Sequence, residues 1–153
     1  MIYDICPTTD EHIEELAVTM AQPDVDEAWA AGHKRPHEAL EYSRKVSRDT
    51  TTGLANGEVA CIFGVGSSSI LTGLGSPWML TSPILEAHGK VFLRGCRMWM
   101  GDQKQKWLKL DNFVDARNER AVKWLRWMGF DLDEPAPYGP DGMDFHKFYW
   151  ESA

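Results

Sequence analysis

Long apolar runs are missing from this 153-residue chain. No stretch approaches the roughly 20 consecutive apolar residues that a membrane-spanning helix needs, so no membrane partner is expected. The start, Met-Ile-Tyr-Asp-Ile-Cys-Pro, has neither a basic n-region nor an apolar h-region, so no secretory leader is expected. Cysteine is scarce. Cys6, Cys61 and Cys96 are odd in number, lie in apolar contexts and fit no zinc spacing. They are expected to be reduced core thiols in a cytosolic setting, with no metal site. Positive charge is also short. The net charge of −7 argues against general nucleic-acid binding. Internal repeats and low-complexity tracts are absent.

What is present is sized for one domain over residues 1–153, with enough chain to bury a sizeable core. Charge is unevenly spread. Residues 84–130 carry ten Lys or Arg against five Asp or Glu, a local +5, which leaves −12 on the remainder. A solvated helix face explains such a run. A local phosphate-binding surface on an acidic protein is the sharper alternative.

Residues 110–130 organise the rest. An apolar strand ends near Ala116, Asn118 is placed to cap a helix, and Ala121, Trp124, Leu125 and Met128 form one apolar stripe. Gly129 stops that helix and Phe130 opens another strand. Earlier in the chain, residues 2–6 read as a strand. Thr8 and Glu11 form a capping-box pattern ahead of an amphipathic helix. A second helix over residues 24–31 is expected to turn Trp29 inward, and a third starts at Pro36. Asn56-Gly57 joins two antiparallel strands, residues 50–54 and 59–65. The Gly- and Ser-rich loop after them, including residues 67–69, lacks the lysine and spacing of a phosphate-binding loop. Residues 78–81 form the fourth strand. Ser82-Pro83 opens a helix reaching about Met100, in which Gly89 and Gly95 either weaken the helix or permit close backbone approach. A fifth strand covers residues 107–116 and the last one residues 145–150. The order β-α-α-α-β-β-β-α-β-α-β-β predicts an α/β fold with a mixed central sheet and helices on both faces.

The pair Asn118-x-x-Ala121 and Met128-Gly129-Phe130, together with this element order, resembles the Gcn5-related N-acetyltransferase (GNAT) family. The run from Trp78 to Ser82, leading to Gly89-Lys90, resembles a phage branch of that fold, the small internal virion proteins of short-tailed bacteriophages. The resemblance implies a GNAT-like fold whose fourth and fifth strands splay apart. Acetyl-CoA would lay its pantetheine arm in that gap as an added strand. It would seat its pyrophosphate at the start of the following helix. By position this implicates Leu80, Thr81 and Ser82 for the arm, Ala87, His88, Gly89 and Lys90 for the pyrophosphate, and Asn118 for the pantetheine region. In the phosphate loop only Gly89 matches the family, and Glu86 brings a negative charge. Leu125 stands where many members carry a proton-donating tyrosine.

Asp111 and Asp115, near the fifth strand, are the carboxylates placed to take a proton from an amine. Surface or capping roles are the alternative. His33 and His37 flank Pro36 and read as solvated loop histidines. Cys96 and His88 lie eight residues apart, about 12 Å along a helix, too far for a nucleophile–base pair. Trp99, Trp107, Trp124, Trp127 and Trp150 are expected in the core, and one left exposed would hint at a protein interface. Two functions follow. One is an acetyl-CoA-dependent N-acyltransferase acting on an amine, including one on a host protein. The other is a non-catalytic GNAT-like phage protein, a virion component or a host-directed binder. Either implies residence in the host cytoplasm or the virion.

Overall fold

The computed structural model describes residues 3–67 and 70–153. Residue 2 of the expected first strand and residues 68–69 of the Ser-rich loop therefore lie outside the described residues. Among the described residues the α-helices and β-strands follow in the order β1 (Tyr3–Pro7), α1 (Asp10–Thr19), α2 (Gln22–Ala30), α3 (Pro36–Val46), β2 (Ser47–Ala55), β3 (Glu58–Gly66), β4 (Leu74–Thr81), α4 (Ile84–Ala87), α5 (Gly89–Lys106), β5 (Lys109–Asp115), α6 (Glu119–Trp127), β6 (Asp131–Leu132), β7 (Ala136–Tyr138) and β8 (Met143–Glu151). They build one eight-stranded sheet, β1-β2-β3-β4-β5-β8-β6, with β7 also on β8. The pairing is antiparallel except between β4 and β5.

Local chemistry explains the elements. The hairpin between β2 and β3 turns on Asn56 and Gly57, both at positive φ (51° and 80°), as a two-residue primed turn requires. The capping box of α1 sits one residue later than its sequence pattern. Thr9 Oγ1 accepts from the His12 backbone N–H at 3.2 Å, and His12 Nδ1 accepts from the Thr9 N–H at 3.1 Å. An imidazole thus fills the role that a glutamate fills in the usual box. Pro23 and Pro36 occupy the first turns of α2 and α3, where a missing N–H is harmless. Asn118 Oδ1 accepts from Ala121 N–H at 3.4 Å, and Gly129 at φ +95° ends the α6 segment.

The sheet has a core on each face. Leu16, Leu40, Val59, Ile62 and Leu80 pack beneath α1–α3. On the other face, Cys96, Met100, Leu110, Val114 and Phe148 pack beneath α5 and α6, and Leu85 and Phe92 extend that layer. A β-bulge opposite Gly53 and Leu54 lets Val59 and Ile62 share one face.

Several expectations need correction. The helix opened by Ser82-Pro83 breaks at His88, where the low-propensity Gly89 follows, and then continues past Met100 to Lys106. β5 consequently starts at Lys109, two residues later than expected. A Cβ at Gly89 or Gly95 would meet no atom within 4 Å, so neither glycine serves a close approach. Trp29 is 53% exposed, because α2 turns Asp24 and Ala28 inward instead. Trp127 is 43% exposed, with the Arg97 guanidinium 4.6 Å above its ring, whereas Trp99, Trp107, Trp124 and Trp150 pack against the core. Cys61 and Cys96 are buried free thiols and Cys6 is only half-buried. β7 adds a strand at the sheet's margin, where Pro137 is tolerated.

Candidate active site

The parallel pairing of β4 with β5 covers only Leu74 with Lys109 and Gly75 with Leu110. Beyond it the two strands diverge. Asn112 bridges the start of the gap, its Nδ2 donating to the Pro77 carbonyl at 3.0 Å. The alternation of a strand then fixes which groups face the gap. The Pro77 carbonyl faces it, and so do both backbone groups of Met79 and of Thr81. Trp78 and Leu80 turn theirs toward β3. Met79 presents an N–H and a carbonyl to the gap with no strand opposite.

At the far end, α2 closes the mouth. Ala21 N–H donates to the Thr81 carbonyl at 2.8 Å. Asp24 Oδ2 accepts from Thr81 N–H at 2.8 Å and from Thr81 Oγ1 at 2.5 Å. Glu27 Oε1 accepts from Asp115 N–H at 2.8 Å on the other strand. One helix therefore caps both diverging strands with carboxylates three residues apart. Asn118 ties the two together, its Nδ2 donating to Asp24 Oδ1 at 3.3 Å and to Glu27 Oε1 at 3.5 Å. Burial pushes the Asp24 carboxyl upward against the lowering effect of its Thr81 and Asn118 hydrogen bonds. Burial, helped by the charges of Asp24 and Asp115, pushes Glu27 up to about 8.

The gap opens into a cleft of about 820 Å³ that reaches both faces of the sheet. On the α2–α3 face it is walled by Trp78, Tyr42, Phe113 and Tyr138, the last two stacked at 4.0 Å. On the α5–α6 face the wall is apolar, with Met79, Trp99 and Leu125 among its residues.

Of the residues singled out in sequence, Leu80, Thr81, Asp111 and Asn118 line this cleft. Ser82 does not. It is fully buried and donates its hydroxyl to the Val59 carbonyl at 2.9 Å. Asp115 is also buried and outside the cleft, held by Arg117 through Nε at 3.0 Å and Nη2 at 2.7 Å. Asp111 sits at the rim between Lys109 at 3.7 Å and Lys147 at 3.8 Å. Ala87, His88, Gly89 and Lys90 line a shallower hollow at the start of α5, joined to the main cleft by Arg120 and Trp124, which border both. His88 Nδ1 meets the Tyr3 hydroxyl at 3.1 Å. The Glu86 carboxylate, expected to repel phosphates, is ion-paired to Arg120, whose guanidinium lies over Trp124. His33 lines the cleft beside Tyr42, and His37 faces Glu41 at 3.6 Å. Among the described residues no group of three or more His, Cys, Asp or Glu is arranged to hold a metal.

Sequence reasoning missed Asp24, Glu27 and Met79. The spacing Asp24-x-x-Glu27 on one helix was a readable signal, but only the chain crossing brings it to the gap.

No family model matches the chain, and no curated protein matches it in sequence. Solved structures do match in shape. An N-acetyltransferase from Staphylococcus aureus Mu50 superposes with a TM-score of 0.73 at 14% identity, over 99% of each chain. A spermidine N-acetyltransferase from Vibrio cholerae, in complex with CoA and spermine, gives 0.71 at 12% identity over 97% of this chain and 95% of that one. A Salmonella typhimurium structure with its cofactor acetyl-CoA gives 0.70 at 11% identity, over 97% and 93%. The architecture is the GNAT fold.

Proposed function

We propose that the chain is an acetyl-CoA-dependent N-acetyltransferase that moves the acetyl group to an amine. The observation that carries this reading is the two-residue pairing of β4 with β5, which leaves Met79's backbone groups facing an open cleft. A pantetheine arm carries amide donors and acceptors and can add there as a strand. Leu80 and Thr81 would flank it, with Ser82 anchoring the end of β4 from within the core. Two similar folds were solved with CoA or acetyl-CoA, which supports the same cofactor here.

Ala87, His88, Gly89 and Lys90 would hold the pyrophosphate at the start of α5, where the first-turn N–H groups of Gly89 and Lys90 and the helix dipole favour anions, the His88 N–H being bonded to the Leu85 carbonyl. The room beside Gly89 and the positive surplus of residues 84–130 fit that role. Arg120 removes the objection raised by Glu86 by neutralising it. Asn118 would contact the arm while holding Asp24 and Glu27. Of the two proton acceptors read from the sequence, Asp111 is at the cleft rim, whereas Asp115 lies outside the cleft, buried against Arg117. Catalysis would rest on alignment of amine and thioester in a cleft that excludes water. The phage-type assignment, with a host or virion protein as partner, rests on the Trp78–Ser82 and Gly89-Lys90 pattern alone.

Calorimetric titration with acetyl-CoA tests the reading, and Gly89→Glu is expected to abolish binding while the fold survives. Absence of binding at millimolar acetyl-CoA would refute it. Leu125 at the cleft, unable to donate a proton, favours the second reading, a non-catalytic GNAT-fold virion or host-directed protein. Binding of acetyl-CoA without transfer to any amine would select that one.

A further inference from the structure

We infer that Glu27 is the catalytic residue that takes the proton from the acceptor, and that this acceptor is a primary alkylamine admitted between the aromatic walls of the α2–α3 face. The inference rests on the transferase reading above. Both polar contacts of Glu27 fall on Oε1. Glu27 lines the cleft, Oε2 has no partner among the described residues, and no buried side-chain oxygen there is left unsatisfied. Oε2 is therefore open to the cleft. Its strand-capping contact fixes the carboxyl's position without occupying the free oxygen.

The acidic side chains on this wall suit an amine. Asp24, Glu27 and Asp111 line the cleft, Asp111 at its rim between Lys109 and Lys147, and Arg120, the lining guanidinium among the described residues, is committed to Glu86. The walls suit the rest of an alkylammonium. Trp78, Tyr42, Phe113 and Tyr138 line the cleft, aromatic surface against which methylenes and an ammonium can pack. An amine carrying its own carboxylate would meet three acidic side chains, and the nearby Lys109, Lys147 and Arg120 already face Asp111 or Glu86.

Glu27 is tuned for the task by its surroundings. Burial raises it most, Asp24 on its own helix and Asp115 on β5 add to that, and Arg117 lies close enough to feel its charge. His33, Tyr42 and Tyr138 share the cleft, and Arg120 faces it from α6. A base near neutrality is the most effective one at physiological pH. In the step itself, the ammonium passes one proton to Oε2. The freed amine nitrogen attacks the thioester carbonyl carbon. The C–N bond forms, the C–S bond breaks, and the nitrogen's second proton leaves with the thiolate as a thiol. Glu27 returns its proton to water, so the products are an amide, free thiol and one proton.

The shared chemistry of a free alkylamine and a protein lysine is the primary ammonium, and two arms separate them. CoA-saturated protein is titrated with 1,4-diaminobutane and, separately, with Nα-acetyl-lysine amide. Transfer from acetyl-CoA is then followed against pH for whichever binds. The expected result is binding of at least one of the two, a rate that climbs to a midpoint near pH 8, and in Glu27→Gln a loss of about 100-fold or more in kcat. The thermal shift induced by acetyl-CoA is expected to be unchanged in that variant, which separates catalysis from folding. A Glu27→Asp variant is expected to keep the pH limb at a reduced rate. Glu27→Gln with wild-type kcat and pH profile would overturn the inference. So would failure of both amines to bind to protein that still binds acetyl-CoA. Failure of the wild type to bind acetyl-CoA at all would overturn the transferase reading, and this inference with it.

Discussion

Replacing Glu27 by glutamine should alter how stability depends on pH. The carboxyl moves from 4.5 to about 8 in the folded protein, chiefly through burial. Between those values the folded state holds a proton that the unfolded chain has released. The stabilising contribution of protonated Glu27 is thus complete below pH 4.5 and is lost as pH rises to 8. Each displaced unit is worth about 1.4 kcal/mol, which sets a ceiling of roughly 5 kcal/mol over the window. Water reaching the open Oε2 screens the charge, and about 2–3 kcal/mol is the working expectation. Glutamine is nearly isosteric, does not titrate, and keeps an oxygen for the Asp115 N–H. Urea unfolding of both proteins at pH 5, 7 and 9 reads the effect. At pH 5 the two should agree within about 1 kcal/mol, and at pH 9 the variant should be the more stable by about 2–3 kcal/mol. Titrations common to both proteins largely cancel in the difference. Parallel stability curves across the whole range would refute the buried, proton-holding Glu27.

Other outcomes follow from the same contacts. Thr81→Val removes the 2.5 Å hydroxyl bond to Asp24 and should lower stability by about 1–3 kcal/mol in denaturant melts. Asn118→Ala removes the α6 cap and the tie to Asp24, and should lower stability by at least about 1 kcal/mol by the same measurement. Leu85→Ala, at a site with no solvent exposure, should lower it by about 2–5 kcal/mol. Glu86→Gln releases Arg120 from its ion pair and should tighten acetyl-CoA binding by calorimetry, whereas unchanged affinity would mean that Arg120 does not reach the phosphates.

Much of the fold was legible because its signals are local. Asn56-Gly57 dictates its hairpin, Asn118 and Gly129 bracket α6, and the apolar periodicity of α5 and α6 gives their inward faces. Boundaries slipped where competing local choices are close in energy. His12 replaced Glu11 in the α1 box, and Gly89 broke a helix that hydrophobic spacing alone carries through. Trp29 misled because a large aromatic reads as core, while the smaller Asp24 and Ala28 are what α2 buries. The cleft was legible only as the place where β4 and β5 separate. Its carboxylates were not, since Asp24 meets Thr81 across 57 residues and Glu27 meets Asp115 across 88. Spacing along a chain carries no information about such crossings.

Hydrogen exchange at the Met79 amide tests the central claim most directly. With saturating acetyl-CoA, the account predicts that this amide, which faces the gap, becomes strongly protected while the β3-facing amides of Trp78 and Leu80 change little. Binding that leaves Met79 exchange untouched, or no binding at all, would contradict it.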